Sequence, residues 1–335
     1  MRKTLGLIVA FILVAGILAG CSTVNNAGGK GATIEPQVSS PKIRFGYLPS
    51  MAQAAFIVAK EKGWFEEEFS KNGTVIEYQK FMVGPPLIEA FAGDRLDFGF
   101  VGDQPVIQAK ANNIDLKVVG VCSATEKGAG LVVPVGSDIV TPKDLKGKKV
   151  GVSVGSIFHQ ILLIYLKDNG LKPGDIKLVN MNPPDMKTAL ATKDIDAVVL
   201  GEPWISMIEY EKIGQQIADT TGIKLNLNVI ATSAKLAQEY PDTVNRVLKV
   251  YDKAAKWLQD HPEEGAELIA KATGLNREVV AKAIVKANYD IQLTDAAVNS
   301  ITDTARFLRE NNTIRKDVNV TELIETSYLK EIGFR

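Results

Sequence analysis

Short apolar, β-prone runs alternate with helical stretches of roughly ten residues, and the alternation passes through the chain twice. The first series predicts strands at 43–48, 75–81, 98–101 and 116–121, with helices at 52–62, 86–92 and 105–111 between them; Gly63 closes the first helix ahead of Trp64-Phe65. A strand at 131–135 and a short helix opening at Thr141-Pro142-Lys143-Asp144 lead into the second series. That series has strands at 149–154, 176–181 and 197–200 and helices at 156–167 and 184–191. Strands joined through a helix line up in parallel with right-handed crossovers, so two series predict two α/β lobes, each a parallel-rich sheet flanked by helices.

The two series also match one another. Residues 90–105 (AFAGDRLDFGFVGDQP) lie on 189–204 (ALATKDIDAVVLGEPW) without gaps, with Ala, Ala, Asp and Gly coinciding. Each copy has a proline pair upstream, Pro85-Pro86 and Pro183-Pro184, and each ends in a glycine and a carboxylate, Gly102-Asp103 and Gly201-Glu202. Helix, turn, strand and exit follow in the same order, which predicts a structural repeat.

From residue 233 onward the pattern is helical. Val244, Val247, Leu248, Tyr251 and Leu258 recur at helical spacing, Pro262 stops that helix, Gly274 stops the next, and Thr294 is placed to cap a helix over 297–309. These faces read as packing surface, with Tyr251 and Trp257 in the core, and the block carries no catalytic motif. His261, ahead of Pro262, reads as surface.

The N-terminus reads as an address. Arg2 and Lys3 precede an apolar run over 5–17, shorter than the ~20 residues of a membrane span. Leu18-Ala19-Gly20-Cys21 then resembles a bacterial lipobox, which implies that 1–20 is removed and Cys21 is lipidated. Residues 21–41 are a polar, Gly- and Ser-containing tether. Cys122 then has no partner and, inside an apolar run, reads as a buried thiol.

Composition narrows the function. The chain has 335 residues with 39 basic and 39 acidic side chains, and loss of Arg2 and Lys3 would make the balance 37 − 39 = −2. That leaves no basic footprint for nucleic acid. Two His and two Cys leave little for a metal centre, and neither a metal nor a cofactor is expected. No phosphate-binding glycine motif supports a nucleotide.

In sheets of this kind ligands bind beyond the carboxyl ends of the strands. The loops there are 47–53, 82–86, 102–105, 153–159, 182–185 and 201–204, and several lead directly into helices. Helix starts expose unpaired N–H groups, so several aimed at one cleft hold an anion without any buried Arg or Lys. Candidate ligand residues in these loops are Tyr47, Met51, Gln53, Met82, Gly84, Pro85, Gly102, Asp103, Gln104, Ser153, Gly155, Ser156, His159, Glu202 and Trp204. Ser156 either caps a helix or meets the ligand. His159, in the first turn of that helix, is expected neutral; no nucleophile elbow is expected, so it is not assigned to a Ser/His/Asp triad. Asp103 and Glu202 sit awkwardly beside an anion; a zwitterionic ligand resolves this, and so do carboxylates turned onto helix N–H groups.

Several segments carry a family likeness: Ile43-Arg44-Phe45-Gly46-Tyr47, Lys60-Glu61-Lys62-Gly63-Trp64-Phe65, and Leu96-Asp97-Phe98-Gly99-Phe100-Val101-Gly102-Asp103. Further on come Asp144-Leu145-Lys146-Gly147-Lys148-Lys149-Val150-Gly151, Gly155-Ser156 with His159, and Ile195-Asp196-Ala197-Val198 before Glu202-Pro203-Trp204. Together they resemble the periplasmic binding proteins of ABC importers for aliphatic sulfonates, taurine and nitrate, relatives of pyrimidine-precursor binders. The resemblance implies a two-lobe, type II-like periplasmic-binding-protein fold: lobe one 42–126 plus 231–335, lobe two 127–230, hinges near 123–131 and 227–232, and the helical block packed on lobe one. It implies a sulfonate head on helix starts and small hydroxyls (Ser153, Gly155, Ser156), with Tyr47, Met82 and Trp204 around the organic tail.

The function implied is that of a monomeric, lipid-anchored solute receptor outside the cytoplasmic membrane, serving an ABC permease and its ATPase, and not an enzyme. An aliphatic sulfonate or taurine leads as ligand. Nitrate, a pyrimidine or a thiamine precursor is the alternative, and a pyrimidine-precursor-related enzyme or a ligand sensor is the competing class.

Overall fold

The structure, a computed structural model, describes residues 39–334. Cys21, the proposed signal segment and most of the proposed tether lie outside the described residues.

The first series forms β1 (Lys42–Tyr47), α1 (Ala54–Glu61), α2 (Trp64–Phe69), β2 (Val75–Lys80), α3 (Gly84–Ala92), β3 (Phe98–Gly102), α4 (Asp103–Ala111) and β4 (Leu116–Thr125). The second forms β5 (Ala129–Pro134), β6 (Lys149–Val152), α5 (Ile157–Asp168), β7 (Lys177–Asn180), α6 (Pro183–Ala191), β8 (Ala197–Gly201), α7 (Trp204–Tyr210) and β9 (Gly214–Asp219). Strand β10 (Asn226–Ser233) precedes α8 (Ala234–Glu239), α9 (Pro241–Asp260), α10 (Pro262–Thr273), α11 (Arg277–Ile284), α12 (Asp295–Glu310), α13 (Val320–Leu323) and α14 (Ser327–Glu331).

These strands make two five-stranded sheets of the same design, ordered β2-β1-β3-β10-β4 and β7-β6-β8-β5-β9. In the first, β1 is parallel to β2 and β3 while β10 runs antiparallel between β3 and β4. In the second, β6 is parallel to β7 and β8 while β5 runs antiparallel between β8 and β9. The sheets are therefore mixed, not wholly parallel as strand–helix alternation alone implies. The odd strand in each is the one that arrives from the other lobe, and it enters from the cleft end. The chain crosses between sheets at 126–128 and 220–225; residues 227–232 lie inside β10, with 228–232 paired on both sides, and 226–230 belong to the first sheet.

The internal repeat is structural. Helices α3 and α6, and strands β3 and β8, have equal lengths and are displaced by the same 99 residues (183 − 84 and 197 − 98). Left-handed turn residues recur at that offset, Asp94 with Lys193 and Asn113 with Lys212. In each copy an aspartate at the foot of the strand accepts a backbone N–H from the neighbouring strand: Asp97 from Arg44 at 2.8 Å and Asp196 from Lys149 at 2.7 Å.

The first sheet is buried on both faces. On the face covered by α1, α2 and α9–α11, Phe45, Phe98 and Phe100 of the strands meet Phe56 of α1 and Phe65 of α2, with ring centroids as close as 4.2 Å. Val244, Val247, Leu248, Tyr251 and Leu258 seat α9 on that face. Full burial of one such side chain is worth about 1.5–3 kcal/mol, so tertiary packing rather than helix propensity holds the block in place. Cys122 is buried there, its thiol pushed up to about 12 by loss of solvent. Tyr251 donates its hydroxyl to the Cys122 carbonyl, whereas Trp257 is only partly buried and stacks on the exposed ring of His261. Thr294 accepts from Ala297 N at 3.3 Å and opens α12. Among the described residues no helix is long and apolar enough to cross a membrane.

Candidate ligand-binding site

The sheets face each other across a cavity at the carboxyl ends of β1, β3 and β8. Each of the six strand-end loops contributes to its wall: Ser50 and Met51 from the first, Met82 and Gly84 from the second, Gly102 and Pro105 from the third. Ser156, Ile157 and Phe158 come from the fourth, Pro183 from the fifth, and Glu202 and Trp204 from the sixth. The centre of a water-sized sphere has about 60 Å³ to move in; one water needs only ~10–15 Å³, so a solute of several heavy atoms fits. A roomier hollow on the outside of the helical block, walled by Leu258, Tyr289 and Phe334, meets none of these loops.

The helix start of α5 supplies the donors. Gly155 takes φ +81°, and an added Cβ there would meet Pro85 Cγ at 3.3 Å, so the loop turns where the opposite lobe comes close. Ser156 does not cap α5; its hydroxyl donates to Ser153 O at 2.6 Å. The N–H groups of Ile157 and Phe158 consequently have no acceptor among the described residues, and both residues line the cavity at the positive end of a twelve-residue helix. The starts of α3 and α6 offer less, because each carries two prolines in its first turn.

The remaining sequence candidates divide sharply. Met51, Met82, Gly84, Gly102, Ser156, Glu202 and Trp204 line the cavity; Tyr47, Gln53, Pro85, Asp103, Gln104, Ser153, Gly155 and His159 stand outside its wall. Tyr47 packs on Phe56, centroids 5.3 Å apart. Gln53 ties Leu48 N at 2.7 Å to Phe100 O at 2.6 Å. Gln104 is buried with both side-chain polar atoms unpartnered. Ser153 Oγ donates to Met181 O at 2.8 Å. His159 Nδ1 accepts from Gly155 N at 3.4 Å, and loss of solvent lowers its pKa.

Contrary to expectation, the chain carries a nucleophile-elbow spacing: Gly151-Val152-Ser153-Val154-Gly155, between β6 and α5, reads G-x-S-x-G. Hydrogen bonding, not the absence of a motif, argues against a triad: Ser153 is buried with its proton on Met181 O, and His159 is engaged by Gly155 N.

Each awkward carboxylate has its own lysine. Asp103 Oδ2 lies 3.1 Å from Lys224 Nζ in the second crossing and accepts from Thr304 Oγ1 at 2.8 Å. Glu202 caps α7, accepting from Ser206 N at 3.1 Å and Ser206 Oγ at 3.0 Å, and pairs with Lys286 Nζ across the lobes. Its carbonyl also accepts from Met51 N and Ser50 Oγ, both at 3.2 Å. The Glu202–Pro203 peptide is cis.

Lys286 corrects two expectations: the wall does contain a cation, and the helical block contributes more than packing. Among the described lining residues Lys286 is the one cation and Glu202 the one carboxylate. The strand ends that flank the crossings add Thr125 of β4 and Asn226 and Asn228 of β10, of which Asn226 is 4% exposed with Oδ1 unpartnered. Sequence reasoning passed over these three because nothing local sets them apart from strand residues. Lys286 gave no signal because its role arises only where α11 ends against the second lobe.

Residues 37–274 match the family model described as NMT1-like. A Bacillus subtilis (strain 168) protein named for aliphatic sulfonate binding is 32% identical over 99% of this chain and 97% of its own length. The taurine-binding periplasmic protein of Escherichia coli (strain K12) is 28% identical over 84% of this chain and 91% of its own. The alkanesulfonate-binding protein of Xanthomonas axonopodis pv. citri, solved with MOPS bound, superposes with a TM-score of 0.79 at 26% identity, covering 86% of this chain and 99% of that one. A desulfurization enzyme at 17% identity and a TM-score of 0.68 shares the fold. The paired mixed sheets, the cleft between them and these matches agree: the chain belongs to the NMT1-like family and has the periplasmic-binding-protein fold.

Proposed function

We propose that the protein is the solute-binding component of an ABC importer, capturing a small organic anion, an aliphatic sulfonate foremost, between its lobes and delivering it unaltered to a membrane permease. The observation that carries this reading is the donor set. Two free N–H groups at the start of α5 and the Lys286 ammonium share one small cavity, while both nearby carboxylates are already engaged. An oxyanion there gains hydrogen bonds from both lobes, which biases the molecule toward the closed arrangement. The crossings at 126–128 and 220–225 act as hinges in this reading. The lipobox-like segment ending at Cys21 supports a lipid-anchored receptor outside the cytoplasmic membrane in this reading; incorporation of labelled palmitate, abolished by Cys21→Ser, tests that part.

Calorimetric titration with C2–C4 alkanesulfonates, nitrate, thymine and glycine tests the function. Selective sulfonate binding is expected, and a ligand held at ~100 times its Kd raises stability by about 2.7 kcal/mol. Absence of sulfonate binding, or recovery of a sulfonate with its C–S bond cleaved, overturns the reading.

A further inference from the structure

Among the described residues the cavity wall contains one carboxylate, and the protein itself occupies it. Glu202, with its side chain 4% exposed, accepts from Ser206 N, Ser206 Oγ and Lys286 Nζ. The two charges come from opposite lobes, Glu202 from the end of β8 and Lys286 from just beyond α11. Among the described residues, what the wall leaves for a guest is the pair of α5 N–H groups, the remaining protons of Lys286, and the side-chain amides of Asn226 and Asn228. These are donors and neutral amide acceptors, with no second carboxylate among them. A guest bearing its own ammonium would be desolvated beside Lys286 with no carboxylate to receive it.

We propose that Lys286 is the residue that sets the charge type of the ligand: it holds Glu202 away from the guest and adds a cation to the anion site, so that the cavity takes sulfonates with uncharged tails and rejects aminosulfonates. The inference rests on the sulfonate reading above. It deepens that reading by assigning selectivity to an interlobe pair rather than to the shape of the tail pocket.

The test uses two probes of nearly equal shape, propane-1-sulfonate and taurine, in which a methyl replaces an ammonium. Calorimetry is run on the wild type, Lys286→Gln and Lys286→Gln/Glu202→Gln, with circular dichroism as the check on folding. The wild type is expected to favour propane-1-sulfonate by about tenfold or more, the scale on which an unpaired buried charge is discriminated. Lys286→Gln, which frees Glu202, shifts the affinity ratio toward taurine by about tenfold or more, and the double variant, which has no carboxylate to offer, returns it to the wild-type side.

A ratio unchanged between wild type and Lys286→Gln, or a wild type that prefers taurine, overturns the inference while sulfonate binding stands. A wild type that binds neither probe overturns the sulfonate reading and the inference with it. Should Lys286→Gln fail to fold, the double variant decides, since it leaves no unpaired charge. A fall of about tenfold in propane-1-sulfonate affinity supports a direct role for the cation, and an unchanged affinity refutes it.

Discussion

Replacing Lys224 by Met should destabilise the protein far more than loss of a typical lysine. The Asp103 side chain is fully buried and that of Lys224 is 6% exposed, so the change strands a carboxylate away from water. Breaking a buried pair on one side costs about 3–5 kcal/mol. Asp103 keeps the Thr304 hydroxyl and the N–H of Gln104, each at 2.8 Å, which puts the expected loss near the lower figure. At roughly 2 °C per kcal/mol for a chain of this size, Tm falls by about 6 °C. Urea unfolding followed by the fluorescence of Trp64, Trp204 and Trp257, with circular dichroism as a second probe, measures it.

Two further variants separate the mechanism from general damage. Lys256→Ala breaks an i,i+4 pair with Asp252 whose lysine is 65% exposed, and should change stability by no more than ~0.5 kcal/mol. Asp103→Asn/Lys224→Met removes both charges and should recover most of the loss, because the penalty is the unpaired charge and not a missing attraction. A loss below ~1 kcal/mol for Lys224→Met, or a double variant no better than the single, would refute the reasoning.

Three other outcomes follow. Gly155→Ala forces a side chain into a left-handed turn against Pro85 and should cost ~1–2 kcal/mol in thermal denaturation while weakening propane-1-sulfonate binding; unchanged stability counts against that geometry. In a Cys21→Ser background, Cys122 should resist a disulfide-exchange reagent at pH 8 until the protein unfolds, its thiol being pushed up to about 12 by burial; prompt native labelling contradicts this. His159 is held below its ordinary pKa by lost solvation, so the unfolded chain takes up its proton first as pH falls. The stability from keeping this ring neutral is complete above the unfolded value of ~6.5 and drains away beneath it, so His159→Gln should lose less Tm than wild type between pH 7 and pH 5. Parallel pH profiles for the two proteins would remove His159 from the account.

The strand–helix alternation was legible because period-2 and helical apolar patterns are local properties of the chain. The 99-residue repeat was legible for the same reason, and so was the ring of strand-end loops, since parallel β-α units send their loops to one edge. Strand β9 escaped notice: its sequence, Gly-Gln-Gln-Ile-Ala-Asp, lies on a sheet edge where little needs to be apolar. The antiparallel sense of β5 and β10 was equally hidden, because direction within a sheet depends on where the chain enters it.

By itself the amino-acid order determined the lobes, their repeat and the loops that could meet a solute, all of which follow from contacts near in sequence. Which polar groups remain available to that solute was decided only in three dimensions. Asp103 and Glu202 look like ligand groups until Lys224, 121 residues away, and Lys286, 84 residues away, arrive to neutralise them. A buried charge is defined by its partner, and here folding brings each partner from a distant segment.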